Sequence, residues 1–137
     1  MYIKKIKIDK SKIDGNGVFA LEYISKNEIV WVFKDGFDIS MTDEMFQQLP
    51  EIERAHLLHT AYLSPWSGNW IYPPLGDAAE YTNHSNNNNL VIKYDATISA
   101  EPVFISKCDI KAGEELTNNY HEFDEITRKQ KPDWAKQ

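Results

Sequence analysis

The chain is poor in the residues that build a covalent or metal-bound scaffold. It has a single cysteine, Cys108, among 137 residues, which excludes an internal disulfide and a thiolate zinc cluster. Its longest apolar stretch, residues 29–33, is far shorter than the roughly 20 residues of a membrane-spanning helix. The first residues alternate lysine with isoleucine, whereas a secretory signal peptide needs a continuous apolar run. These absences predict a cytoplasmic or nuclear protein with no disulfide, no bound metal and no membrane contact.

Positive charge is also scarce. The sequence has 15 Lys and Arg against 21 Asp and Glu, a formal net charge of -6. A general nucleic-acid binder needs a cationic surface that displaces counterions from phosphates, so direct nucleic-acid binding is not expected. The lysines concentrate near the two ends, which leaves the middle of the chain acidic. An acidic middle favours a basic partner, although ordinary solvated surface explains any one of these carboxylates equally well.

Apolar side chains are plentiful enough for one core. They make up 42% of the chain and are spread along its whole length. A chain of this size typically forms a single domain, and no segment rich in Gly, Ser or Pro divides it. We therefore predict one domain over residues 1–137.

Short strands and tight turns dominate the pattern of residues. Ile6 and Ile8 alternate with lysines, which predicts a strand with one buried face. Strands are also predicted over residues 29–33 and 70–72. Four consecutive asparagines, residues 86–89, predict a polar loop whose side-chain amides could satisfy buried backbone groups.

Helical signals occur only in the middle and at the end of the chain. Thr42 is predicted to cap a helix that carries Met45, Phe46 and Leu49 on its apolar side. Pro50 ends that helix or opens a second one, whose apolar side would hold Ile52, Ala55 and Leu58. Asp124 could cap a final helix that runs toward Lys131.

Three segments occur in an order and at separations that are far more specific than any one of them. They are GNGVFA at residues 15–20, GDAAEYTNHS at residues 76–85 and GEELTNNY at residues 113–120. Alone, the first is an ordinary glycine turn, because it lacks the third glycine and the helix of a dinucleotide fingerprint. Together the three segments resemble the SET-domain protein lysine methyltransferases.

The resemblance spans residues 14–120, within which residues 35–62 match only as the variable insert. It implies a mainly β fold with short helices and small sheets, the SET-domain fold. It also implies a C-terminal pseudoknot, in which the last motif passes through the loop that carries the Asn-His motif. The motif-bearing core would cover about residues 6–122, and the tail, residues 123–137, would cover the active site.

The activity implied by the resemblance is methyl transfer from S-adenosylmethionine to the ε-amine of a lysine in a protein substrate, without a metal ion. The resemblance makes Tyr120 the catalytic residue, with its hydroxyl beside the transferring methyl and the lysine nitrogen. A glycine turn would close on the methionine part of the cofactor, one asparagine would bond its amino group, and a histidine main chain would hold the adenine. The implied cofactor-binding residues are Gly15, Asn16, Gly17, Tyr81, Asn83 and His84.

Aromatic residues around the motifs are candidates for the substrate channel. The resemblance places Tyr62 and Tyr72 on strands that line the lysine channel, and core packing explains both equally well. Phe123 and Trp134 follow the last motif, where other family members cover the substrate with a C-terminal segment. The expected substrate is a protein, and the acidic middle favours a basic one.

Several positions depart from the family pattern. The chain has Glu80-Tyr81 where many members have Arg-Phe, Asn86 and Asn88 where they have Cys and Pro, and Asn119 where they have Asp. These differences leave a second interpretation open, a catalytically silent SET-like module that binds a basic peptide or a partner protein. Formation of a homodimer is also left open.

Overall fold

The computed structural model describes residues 1–125, and most of its elements are short strands. The strands are β1 (Ile6–Lys10), β2 (Asn16–Ala20), β3 (Ile29–Trp31), β4 (Ile39–Thr42), β5 (Tyr62–Leu63), β6 (Asn69–Tyr72), β7 (Asn83–His84), β8 (Leu90–Lys93), β9 (Val103–Ser106) and β10 (Glu115–Asn118). The helices are α1 (Asp43–Gln47) and α2 (Glu51–Leu57), with 3₁₀ turns at Ala78–Tyr81 and Tyr120–Glu122. The mainly β class with short helices is confirmed. The helix predicted to run toward Lys131 and the tail residue Trp134 lie outside the described residues.

The strands form three small sheets, in the orders β1-β2-β10-β7, β3-β9-β8 and β4-β6-β5. In the first sheet β10 lies between β2, to which it is antiparallel, and β7, to which it is parallel. The parallel pairing sets Thr117 opposite Asn83 and Asn118 opposite His84. The glycine turn, the Asn-His motif and the last motif therefore meet on three neighbouring strands. Within residues 1–125, no helix is long and apolar enough to cross a bilayer.

The hydrophobic core lies directly beneath these three strands. Val18 of β2 and Leu116 of β10 are fully buried there. Phe104 packs edge to face against Trp31 and Phe123, with ring centroids 5.5 Å and 5.0 Å apart. Edge-to-face aromatic pairs add about 0.5–1.5 kcal/mol beyond the area they bury. The core thereby holds Phe123, the first residue of the predicted tail, beside the end of β10.

Two predictions about buried faces are wrong. In β1 only Ile6 packs against the core, and Ile8 is 42% exposed because β1 is an edge strand with one neighbour. The helix α2 forms as predicted, but its apolar side faces solvent, with Ile52 77% and Leu58 52% exposed. A helix of seven residues leaves most of its N–H and C=O groups without intrahelical partners, and the exposure of α2 lets water bond to them.

The helical insert, residues 43–57, contacts the sheet through Trp70 of β6. Thr42 caps α1 as predicted, since its hydroxyl accepts a hydrogen bond from the backbone N–H of Met45 at 3.2 Å. Phe46 stacks on Trp70 of β6 with centroids 4.1 Å apart, and the Trp70 indole N–H donates to Asp43 at 2.9 Å. Pro50 opens α2, as one of the two predicted alternatives.

Candidate active site

A cavity of about 640 Å³ opens where the Asn-His strand meets the end of β10. Small-molecule sites typically enclose about 300–1,000 Å³, so the space suits a cofactor-sized ligand. Six residues proposed from the sequence line the cavity together: Tyr62, Tyr72, Asn83, His84, Tyr120 and Phe123.

The remaining proposed residues lie beside the cavity rather than on its wall. The glycine turn adjoins it through Asp14, which lines the wall, and through the Asn16 carbonyl, which accepts a hydrogen bond from Asn83. Gly15 takes a left-handed conformation with φ +45°, which an L side chain rarely adopts. Tyr81 packs against the hydrophobic core and is not among the lining residues.

Tyr120 is held by two hydrogen bonds to the Asn-His segment. Its hydroxyl donates to the Thr82 carbonyl at 2.5 Å, and its backbone N–H donates to Nδ1 of His84 at 3.1 Å. Burial, followed by the charges of Asp124 and Asp14, raises the pKa of Tyr120 to about 12. The phenol is therefore protonated at neutral pH, and it can donate and align but does not serve as a phenolate base.

Tyr2 is a cavity residue that the motifs do not mark. Its hydroxyl shares a hydrogen bond of 2.6 Å with the Thr82 hydroxyl, so the same threonine contacts both Tyr2 and Tyr120. Burial raises the pKa of Tyr2 above its usual value. The N-terminal segment reaches the site through a bridge between Tyr2 and Trp31, a pairing that no local pattern around Tyr2 indicates.

The side-chain amide of Asn83 faces three oxygens. Its Nδ2 lies 3.1 Å from the carbonyls of Asp14 and Asn16 and 2.9 Å from Oε1 of Glu115. Since the amide nitrogen is the only donor in this side chain, the three acceptors determine which way the amide is turned. Its Oδ1 is left to accept a hydrogen bond from a ligand.

The asparagine loop ties β10 in place. Asn89 uses both ends of its side chain, donating to the Glu115 carbonyl at 2.8 Å and accepting from the Thr117 N–H at 2.9 Å. The buried Asn88 amide donates to the Leu90 carbonyl at 2.8 Å. The prediction that loop amides satisfy buried backbone groups is confirmed.

Three buried polar atoms of the cavity residues have no hydrogen-bond partner within residues 1–125. They are the indole nitrogen of Trp31, the hydroxyl of Tyr62 and Oδ1 of Asn118. An unmet buried polar group costs about 1–3 kcal/mol, so such atoms mark places where a polar ligand group would be favourable. Burial raises the pKa of Tyr62 well above its usual value, which keeps its hydroxyl protonated.

The cavity wall is acidic. It carries Asp14, Glu80 and Asp124, and among the described residues no lysine or arginine lines it. An acidic wall attracts a cationic ligand and repels phosphate. The departure at Asn119 does not add to this charge, because its neutral Oδ1 caps the 3₁₀ turn by accepting from the His121 N–H at 3.0 Å.

The three sequence motifs of the site fall inside one continuous family match. The family model of the SET domain matches residues 15–121. The chain belongs to the SET-domain family. Its small sheets and short helices are the SET-domain fold, as the sequence predicted. Among curated proteins, none matches this SET-domain chain.

Solved structures of methyltransferases share the fold. A candidate histone methyltransferase of Plasmodium falciparum is 30% identical with a TM-score of 0.55, over 83% of this chain and 90% of that chain. Polycomb Repressive Complex 2 of Chaetomium thermophilum bound to GSK126 is 29% identical with a TM-score of 0.67, over 92% of this chain and 17% of that chain. The autoinhibited form of that complex bound to S-adenosylmethionine is 30% identical with a TM-score of 0.64, over 92% and 16%.

This SET-domain chain thus spans most of the Plasmodium protein but only 16% to 17% of the Polycomb chain. Similarity to histone methyltransferases, one of them bound to S-adenosylmethionine, supports methyl transfer from that cofactor as the general activity.

Proposed function

We propose that the chain is a protein-lysine N-methyltransferase that transfers a methyl group from S-adenosylmethionine to the ε-amine of a lysine in a basic protein. The observation that supports this proposal most strongly is the meeting of Asn83, His84 and Tyr120 on the wall of one cavity. These residues come from two segments that are distant in sequence and adjacent only through the parallel pairing of β7 with β10.

The residues around the cavity fit the cofactor. Asn83 presents Oδ1 to the cofactor's amino group, because its Nδ2 is already bonded to the glycine-turn segment. The main chain of His84 would hold the adenine, and the backbone of the Gly15-Asn16-Gly17 turn would lie beside the methionine part. Tyr81 supports this region from the core side. When bound, the cofactor supplies the methyl group as an electrophile.

The substrate lysine enters beside Tyr62, Tyr72 and Phe123. Deprotonating an amine with a pKa of about 10.4 costs about 4.6 kcal/mol at pH 7, at 1.36 kcal/mol per unit. The aromatic wall favours the neutral amine by desolvation, and holding the reactants in line contributes roughly 7–11 kcal/mol. The hydroxyl oxygens of Tyr62 and Tyr120 would accept hydrogen bonds from the amine N–H groups, which leaves the nitrogen lone pair free to attack the methyl group.

Replacing Tyr120 by Phe tests the proposal. Loss of one oriented hydroxyl should lower methyl transfer roughly 100-fold while cofactor binding is retained. Transfer is measured with labelled cofactor and basic proteins, and binding by calorimetry. The matched control is Tyr94→Phe, because Tyr94 is 48% exposed and not part of the cavity wall. Turnover equal to that of the wild type would show that Tyr120 does not have the proposed catalytic role. If the wild-type protein does not bind the cofactor, the proposed enzymatic activity is wrong.

A silent module that binds a basic peptide is the second candidate. The acidic wall formed by Asp14, Glu80 and Asp124 favours it as much as it favours an enzyme. The two functions differ in one result, since a module retains a lysine-rich peptide but leaves no label on it. Mass spectrometry of the peptide after incubation with cofactor separates them and also counts the methyl groups added.

A further inference from the structure

The Glu115 carboxylate occupies the space between β10 and the glycine turn. Its Oε1 accepts a hydrogen bond from Nδ2 of Asn83 at 2.9 Å, and its Oε2 accepts one from the Ser11 hydroxyl at 2.9 Å. One carboxylate therefore connects three segments that are far apart in the chain.

A side chain at residue 17 would displace this carboxylate. A Cβ added to Gly17 would overlap Oε1 of Glu115, while its next contact, Cβ of Ser11, would be 3.2 Å away. The backbone itself makes no such demand, because among the two turn glycines only Gly15 has a positive φ. The room beside Gly17, which the sequence suggested was for the cofactor, is filled by Glu115.

Among the three acceptors around the Asn83 amide nitrogen, Glu115 alone carries a charge. Hydrogen bonds to an ionised acceptor are roughly twice as strong as those between neutral groups, so Glu115 dominates the orientation of this amide. An amide that donates to a carboxylate is also polarised, which strengthens its own oxygen as an acceptor. Both effects act on Oδ1 of Asn83, the atom left for the ligand.

We propose that Glu115 is a positioning residue that sets the affinity of Asn83 for the ammonium group of the cofactor's amino-acid part, and that Gly17 is glycine to admit the Glu115 carboxylate. The proposal rests on the proposed function, because it takes Asn83 as a contact of S-adenosylmethionine. It adds a residue that does not touch the cofactor.

Glu115→Gln is the first test, since it keeps the shape and removes the charge. Affinity for S-adenosylmethionine and for S-adenosylhomocysteine, measured by calorimetry, should fall about tenfold for both, because both carry the ammonium group. Affinity for 5′-methylthioadenosine, which lacks the amino-acid part, should not change. The matched control is Glu114→Gln, because Glu114 is the exposed neighbour whose carboxylate accepts only from the Lys111 N–H among its hydrogen bonds in residues 1–125.

The pattern of losses decides between mechanisms. A loss confined to S-adenosylmethionine would show that Glu115 acts directly on the sulfonium charge, and would overturn the positioning role. An equal loss for 5′-methylthioadenosine would show general damage to the site, and would overturn that role as well. If the wild-type protein binds none of the three ligands, the proposed function fails; if it binds them and Glu115→Gln binds equally well, only the positioning role fails.

A double-mutant cycle tests the reason for Gly17. Gly17→Ala should expel the carboxylate and lower both the affinity for S-adenosylhomocysteine and the thermal unfolding temperature. In the Glu115→Ala background the added methyl has room, so Gly17→Ala should cost much less by both measurements. Additive effects in the double variant would overturn the explanation, and the unfolding temperatures show whether each variant folds.

Discussion

Two regions of the molecule differ in whether their polar or their apolar residues are buried. In the knot region, residues 83–89 together with β10, polar residues are buried: His84, Asn88 and Asn118 are 6%, 6% and 7% exposed. In the helical insert, residues 43–57, apolar residues are exposed: Met45 is 56% and Ile52 77% exposed. The helical spacing of apolar residues therefore does not by itself predict which face of this protein is buried. A run of asparagines does not by itself predict that the segment is exposed to solvent.

The contrast has a physical cause in backbone hydrogen bonding. The backbone groups of the insert bond to near neighbours, as the Arg54 N–H does to the Pro50 carbonyl, and those at the exposed helix ends can bond to water. The strand β10 is inside the protein and pairs with β7 over only two residue pairs, so other groups must satisfy its backbone. The side chain of Asn89 does so at Glu115 and Thr117.

Asn89→Leu should have the largest effect on stability. It leaves the buried Thr117 N–H and the Glu115 carbonyl without their partner, and two unmet groups should cost about 3–4 kcal/mol. The free energy of unfolding from urea titration measures this loss. Asn87→Leu is the control, because Asn87 lies in the same run but is exposed. If Asn89→Leu lowers the free energy of unfolding by less than about 0.5 kcal/mol, the side chain of Asn89 does not support β10 and the stated cause of the contrast is wrong.

High pH should have the next largest effect, through three buried tyrosines of the cavity beside the knot region. Burial raises the pKa values of Tyr2, Tyr62 and Tyr120, the last to about 12, from a usual value of 10.0. Below pH 10 both states are protonated and the full stability is present; above it the unfolded state loses protons first, so stability falls as the pH rises toward 12. Tyr120 alone should account for about 2–3 kcal/mol. Exposed tyrosines such as Tyr94 contribute to the total tyrosinate absorbance, so the Tyr120 part is taken as the difference between the wild type and Tyr120→Phe. That part should appear together with unfolding, and its appearance in the folded protein near pH 10 would contradict burial of Tyr120.

Thr42→Ala should have a smaller and local effect. It removes the side-chain cap of α1, which typically costs about 1 kcal/mol. Hydrogen exchange should rise at the Met45 amide and stay unchanged at the Thr117 amide. Faster exchange at both sites would mean that the insert and the knot region unfold as one unit.

Ile52→Ser should have the smallest effect. Its side chain is 77% exposed, so the free energy of unfolding should change by less than about 0.5 kcal/mol. Chemical denaturation measures this, with Ile71→Ser, a replacement in the core, as the contrasting variant. A loss above about 1 kcal/mol at Ile52 would mean that this face is covered in solution.

Local features were predictable because they depend on neighbours in the chain. The cap at Thr42, the helix opened by Pro50 and the turn at Gly15 follow from side-chain and backbone preferences over a few residues. The three motifs located Asn83 and Tyr120 through resemblance. Tyr2 was missed as a cavity residue, because nothing within a few residues of it signals a pocket. Asn118 was missed although it lies two residues before Tyr120 in the last motif, because the motif does not show which of its side chains face the cavity.

The sequence by itself determined the family and the short elements and predicted six residues that line the cavity, because motif order and local preference are properties of the chain. Only the tertiary structure decided what each of these residues contacts. It placed Glu115 against Gly17, Asn89 along the backbone of β10, and the apolar side of α2 in solvent. Contacts such as these depend on the position of β10 between β2 and β7, which are distant in the sequence. The pairing of distant strands produces no pattern in the residues around each strand, so the sequence does not reveal it.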